Sequence, residues 1–112
     1  AITDSIMAAG LPDGNYKLGV NDVVVEDGDA KLADTGVRAG STLTQDVALK
    51  NLLKFTGRPL EEILVLLTEN PAKLLKVFDK KGSLANGKDA DIVILNETND
   101  IVDVFVKGRK LS

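Results

Sequence analysis

The sequence predicts a small α+β domain in which three consecutive helices separate β structure near either end. Three observations predict it. Asp27-Gly28 sits between a β-branched run and a short alternating stretch. Residues 43–78 carry three apolar stripes at helical spacing, each opened by a cap residue or a proline. Two apolar runs, 92–95 and 101–107, follow between turn residues. The length of 112 residues suits one domain, and a chain of that size can form a core without disulfide or metal staples.

In chain order, Ala1-Ile2-Thr3-Asp4-Ser5 reads as the end of a buried strand. Gly10, Pro12, Gly14 and Gly19 then mark loop through residue 19. Residues 22–26 and 29–32 form a hairpin about Asp27-Gly28, because both central positions of its tight turn require positive φ. Thr42, with Gln45 three residues on, has the spacing of a capping box. Leu43, Val47, Leu49, Leu52 and Leu53 form the stripe that follows, and Gly57 stops it. Pro59 opens a second helix at its first turn, where a missing N–H costs nothing, with Leu60, Ile63, Leu64 and Leu67 on its apolar face. Asn70-Pro71 repeats the device as cap and first helical residue, directing Ala72, Leu74, Leu75, Val77 and Phe78 inward. Residues 81–83 and 86–88 are turns. The run Ile92-Val93-Ile94-Leu95 suits a strand buried on both faces. Residues 101–107 alternate, with Val102, Val104 and Val106 on one face and Gly108 as the stop.

Composition limits the chemistry. The chain has 14 Lys and Arg against 17 Asp and Glu, a net charge of −3, and neither histidine nor cysteine. No histidine-based acid–base catalysis, Ser-His-Asp triad, zinc finger or disulfide framework can be built from these residues alone. With three Phe, one Tyr and no Trp, the core must come from Val, Leu, Ile and Ala. Mild acidity without a basic patch argues against nucleic-acid and anionic-membrane partners. The longest apolar run, residues 63–67, is far below the roughly 20 residues of a bilayer span. A cytoplasmic protein is expected. The chain starts without Met on a strand-like segment, so it reads as a piece of something larger.

Three stretches resemble a known family. Thr3-Asp4-Ser5-Ile6-Met7-Ala8-Ala9-Gly10-Leu11-Pro12-Asp13-Gly14 resembles the segment around the last catalytic strand of the N-acetylglucosamine-6-phosphate deacetylase family, within the amidohydrolase superfamily. Ala39-Gly40-Ser41-Thr42-Leu43-Thr44 resembles that family's loop before the final barrel helix. Asn70-Pro71-Ala72-Lys73-Leu74-Leu75 and residues 81–95 resemble the superfamily's C-terminal signature, which is shared with dihydroorotases, imidazolonepropionases and adenine deaminases. The resemblance spans essentially the whole chain, and the chain spans about the last third of such an enzyme.

The resemblance implies an α/β fold, the C-terminal portion of a (β/α)₈ TIM-barrel metal-dependent hydrolase: last barrel strand, hairpin insertion and final helices in residues 1–78, and strands of a small composite β-sandwich in residues 79–112. Active-site residues of such barrels sit at the C-terminal ends of the strands. Asp4 matches the family's catalytic aspartate, which takes a proton from a metal-bound water attacking the acetamide and passes it to the leaving amine. Arg38, Ala39 and Gly40 match the loop along the bound sugar phosphate, where a glycine permits close backbone approach and a helix N-terminus favours an anion. The family's divalent metal, Zn²⁺ or similar, is held by a glutamate and two histidines from earlier strands, none of them in this chain. No cofactor is therefore expected in the chain alone, nor any deacetylase activity. The complete enzyme is expected to act on N-acetylglucosamine 6-phosphate as a homodimer, and the isolated chain to self-associate through unpaired strand edges.

Asn70-Pro71-Ala72 is explained by capping, and Lys88-Asp89-Ala90-Asp91 by a solvated turn before a strand. The acidic group Asp22, Glu26, Asp27 and Asp29 lacks the ligand and glycine spacing of a calcium loop. Two alternatives stay open: another amidohydrolase, such as a deaminase or cyclic amidase, and a non-catalytic α+β association domain.

Overall fold

A computed structural model describes residues 1–111. The elements are β1 (Gly14–Leu18), β2 (Asn21–Glu26), β3 (Asp29–Leu32), α1 (Gln45–Thr56), α2 (Leu60–Leu67), α3 (Glu69–Leu74), β4 (Ile92–Leu95), β5 (Ile101–Val106) and β6 (Arg109–Lys110). The chain divides into two compact units, one of Ile2–Ala48 and one of Ala1 with the residues from Leu49 onward.

In the first unit β1, β2 and β3 form an antiparallel meander. The hairpin falls where Asp27-Gly28 puts it: Glu26 pairs with Asp29 and Val25 with Ala30, and both turn residues have positive φ. Asp13 fastens this turn from outside, its carboxylate accepting hydrogen bonds from the amides of Asp27 (2.6 Å) and Gly28 (3.2 Å). β1 was not expected. It pairs Tyr16 with Val23 and Leu18 with Asn21, inside the stretch whose glycines read as loop. The core is small-sided: Ala8, Val23, Val25, Ala30 and Ala39, with Ile6, Tyr16 and Leu32 packed against it.

The strand expected at residues 1–5 is reduced to one parallel bridge between Ser5 and Ser41, and Ile2 is exposed. A parallel strand needs a ladder, and within the described residues the segment finds this one partner. The capping box also fails. The Thr42 hydroxyl donates to the Gly28 carbonyl instead, and α1 starts at Gln45, with the Ala48 amide donating to Thr44 O (2.9 Å).

In the second unit α1 stops as expected, the Gly57 amide donating to Leu53 O (3.0 Å). Helix starts differ by a residue or two from the sequence reading. Pro59 is the extended residue before α2, not its first helical residue. α3 starts at Glu69, so Asn70 caps nothing and Pro71 lies third, still within the first turn where its lost donor has no helical partner. α3 ends with Lys76 left-handed, the Val77 amide bonded to Ala72 O (2.9 Å) and the Lys76 amide to Lys73 O (3.1 Å), a Schellman closure built without glycine.

Inward faces are less complete than the stripes predict. Leu49, Ile63 and Ala72 are buried, whereas Val47, Leu74 and Leu75 are exposed. β4, expected to be buried on both faces, leaves Val93 and Ile94 exposed, and Val102 and Val106 of β5 are exposed as well. The sheet β4-β5-β6 has three short strands, too little apolar material to cover both its own faces. β6 is an addition, paired with β5 across Lys107-Gly108.

The run 88–91 is an anchored turn, not a freely solvated one. Lys81 Nζ lies 2.8 Å from an Asp89 carboxylate oxygen and also pairs with Asp91, whose other oxygen accepts the Lys107 amide (2.8 Å). Asp89, then Asp91, hold the Lys81 ammonium above its ordinary pKa, and Lys81 chiefly holds Asp91 below its own. The Lys88 ammonium donates to Phe78 O and stands 3.6 Å from the Phe78 ring centroid.

Asp100 closes the β4–β5 loop. Its carboxylate pairs with Lys50 and accepts from Thr98 and Asn96, and Lys50 first, then Thr98 and Asn96, bring its pKa from 3.8 to about 2. A folded value below the unfolded one stabilises fully above the unfolded pKa, and that contribution fades as pH falls from about 4 towards 2. A carboxyl ¹³C titration should therefore give a midpoint near 2 for Asp100, and Lys50→Met should return it towards 3.8. A midpoint near 3.8 before substitution would contradict this loop geometry.

Candidate active site

Asp4 and the 38–41 loop are remote in sequence and adjacent in the first unit. Residues 3–6 run parallel to residues 40–43. The Ser41 amide donates to Asp4 O (2.8 Å), and the Ile6 amide donates to Ser41 O (2.9 Å). The Ser41 hydroxyl donates to Thr3 O and accepts from the Leu43 amide (3.1 Å), while the Ser5 hydroxyl donates to Leu43 O. Asp4 is left-handed, with φ 53°, a conformation that among non-glycine residues suits Asp and Asn best. Its side chain is exposed. Among the described residues no hydrogen bond or ion pair reaches its carboxylate, which leaves the group available for proton transfer.

Gly40 makes this approach possible. A Cβ built on it would stand 2.6 Å from Ile6 Cγ2, 2.9 Å from Asp4 O and 4.0 Å from Asp4 Oδ2, and its own φ is +68°. Ala39 is buried in the core, and its amide donates to Ala30 O (2.9 Å), so the loop is an extension of the β-meander.

Arg38 lies elsewhere in the same neighbourhood. Its guanidinium is 3.0 Å from one Asp29 carboxylate oxygen, and Lys31 Nζ is 3.2 Å from the other. Lys31 first, and Arg38 against the opposing effect of desolvation, hold the Asp29 carboxyl below its ordinary pKa. An open groove of about 470 Å³ is lined by Asp29, Arg38, Gly40, Ser41, Thr42 and the start of α1. Asp4 is not among its lining residues. The structure thus joins Asp4 to Gly40 and Ser41, and Arg38 to Asp29.

Ser41 and Asp29 carry no signal of a role in the sequence by themselves. Ser41 was visible only as part of the Ala39-Gly40-Ser41 motif, and Asp29 only as one of several hairpin acids. Among the described residues no three His, Cys, Asp or Glu side chains cluster as a metal ion would require. No helix among them is long and apolar enough to cross a membrane.

The chain is similar to known sugar-phosphate deacetylases over nearly its whole length. The chain is 39% identical over 108 residues to the N-acetylglucosamine-6-phosphate deacetylase of Bacillus subtilis, covering 96% of this chain and 27% of that enzyme. It is 36% identical over 111 residues to the N-acetylgalactosamine-6-phosphate deacetylase of Escherichia coli O157:H7, covering 99% and 29%. The crystal structure of the Thermotoga maritima N-acetylglucosamine-6-phosphate deacetylase superposes with a TM-score of 0.87 at 41% identity, over 97% of this chain and 30% of that one. The chain therefore spans between a quarter and a third of the length of these relatives, and its fold fits a part of a TIM-barrel hydrolase. The amidohydrolase family profile matches residues 8–111, from the first buried alanine through the last strand, and the chain belongs to that family.

Proposed function

We propose that a hydrolase carrying this chain cleaves the acetamide of N-acetyl-D-glucosamine 6-phosphate to D-glucosamine 6-phosphate and acetate, with Asp4 as its general base and then general acid. The observation that carries this reading is the meeting of Thr3-Asp4 with Ala39-Gly40-Ser41, two separate stretches that resemble deacetylase motifs and are held together by backbone hydrogen bonds. An amide is a poor electrophile and an amide anion a poor leaving group. One carboxylate that accepts a proton from the attacking water and returns it to the departing nitrogen answers both difficulties. Asp4, exposed and unpaired, can do both.

Residues 38–40 would lie along the sugar phosphate. Gly40 leaves the backbone uncovered, and Arg38 supplies positive charge, which Asp29 restrains. In this reading residues 1–78 close the barrel, residues 79–112 contribute to a small β-sandwich, and the complete enzyme is a homodimer. A phosphorylated sugar is confined by its charge to the compartment where it is made, so the reading carries a cytoplasmic location with it. Family deacetylases are generally metal-dependent, and a divalent metal such as Zn²⁺ belongs to the proposal for the complete hydrolase. The present residues do not fit such an ion by themselves, having no histidine and no cluster of three ligating side chains among those described.

The relative named for N-acetylgalactosamine 6-phosphate favours a second reading, in which the C4 epimer is the substrate. Fusing this chain behind the upstream barrel of the Thermotoga maritima enzyme, in place of the matching segment, tests both. The fusion should release acetate from one of the two sugar phosphates, while the 112-residue chain alone should be inactive. A folded, metal-loaded fusion inactive on both substrates would refute the proposal.

A further inference from the structure

We infer that Ser41 is a positioning residue that sets the backbone of Asp4 for proton transfer, an inference that rests on the role proposed for Asp4. Ser41 holds the segment around Asp4 at three points. Its hydroxyl donates to the carbonyl before Asp4, its amide donates to the carbonyl of Asp4 (2.8 Å), and its own carbonyl accepts the amide of Ile6, two residues on (2.9 Å). Between these points Asp4 is left-handed at φ 53°, which departs from the extended conformation its place beside a parallel partner would otherwise give it. The bend occurs where both flanks are fixed to one residue. A left-handed aspartate on an exposed segment would relax without such restraint, and Ser41 provides it from the opposite strand.

Gly40 completes the device. The backbone its missing side chain uncovers is that of Asp4, since any Cβ would come within 2.9 Å of Asp4 O and 2.6 Å of Ile6 Cγ2. The Ser41 hydroxyl also accepts the Leu43 amide (3.1 Å), so one oxygen links the segment carrying the acid–base group to the lead-in of α1, whose start lines the groove beside Arg38. The hydroxyl thus bears on the segment that carries the carboxylate, whereas the loop at residues 38–40 is held by main chain, the Ala39 amide donating to Ala30 O (2.9 Å).

The test uses the fusion with the Thermotoga maritima upstream barrel, assayed with its preferred sugar phosphate. Ser41→Ala should lower kcat by about 10- to 100-fold while KM stays within about twofold, because the group that moves protons shifts and the binding loop is kept by its main-chain bonds. Ser41→Thr, which keeps the hydroxyl, should restore most of kcat. Asp4→Asn should lose far more of kcat than Ser41→Ala does, and conservative rescue by Thr should be confined to position 41. Wild-type kcat in Ser41→Ala beside an inactive Asp4→Asn would overturn the inference alone, and an active Asp4→Asn would overturn the role of Asp4 as well. Should Ser41→Ala not fold, hydrogen exchange of the unmodified fusion decides: the Ile6 and Ser41 amides should be protected, and exchange as fast as at Asp34 and Thr35 would refute the restraint.

Discussion

Asp4→Asn, in a hydrolase that carries this chain, should reduce kcat by about 10²- to 10⁴-fold, the range associated with loss of a positioned general acid–base. The substitution is well suited to the question. Asn has the shape of Asp and tolerates the left-handed backbone that Asp4 adopts, so neither the Ser41 amide bond to Asp4 O nor the contact with Gly40 need change. What disappears is the capacity to accept a proton from water. KM should move little, because the interaction lost belongs to the transition state. The Asp4 carboxylate has no hydrogen-bonded or ionic partner among the described residues, so folding should be unaffected, and a coincident thermal melt would show it. A kcat within about threefold of wild type would remove Asp4 from the chemistry.

Gly82→Ala should destabilise the second unit by about 2–4 kcal/mol, the sum of left-handed strain and overpacking. Gly82 has φ +88°, and a Cβ there would stand 2.6 Å from Ala72 Cβ and 3.0 Å from Thr68 O. Ala72 is buried at the centre of α3 and cannot retreat without moving the helix. Gly87→Ala is the control: its φ is +86°, nearly the same, and nothing lies within 4 Å of its Cβ position. It should cost about 1 kcal/mol, the backbone term by itself. Urea unfolding of the three proteins reads both terms, and equal shifts for the two substitutions would mean that Gly82 and α3 are not in contact. For domains whose total stability is about 5–15 kcal/mol the larger shift is a substantial part of the whole.

In the sequence Gly82 and Gly87 look alike, each a turn residue, and the reason is general. Turn chemistry is local and can be read from two or three residues, which is why Asp27-Gly28 and Gly57 were placed correctly. What a turn packs against is not local. Thr42 has a capping partner at the right spacing, but its hydroxyl goes to Gly28, 14 residues away. β1 was missed because its pairing residues lie between glycines, and only β2, already held in a hairpin, gives them a ladder. Leu74 and Leu75 satisfied the apolar stripe and are exposed nonetheless, since periodicity names a face without supplying what covers it.

The site divides in the same way. Asp4 and Gly40 could be singled out only through resemblance to a family, for nothing in either local sequence says that one lies against the other. The Asp29–Arg38 pair could not be found that way at all. It depends on Ala39 joining the edge of β3 through Ala30 O, which brings two residues of a hairpin and a loop to one place.

The first unit's core of three alanines and two valines also shapes how such a protein can change over time. Alanine can shrink only to glycine, so nearly every accepted replacement at those positions adds volume. Ala39 belongs both to that core and to the loop beside Asp4. A lineage that enlarges a core residue here must move the loop to make room, and sequence drift then reaches the surroundings of Asp4 through bulk before any charged or polar group has been exchanged.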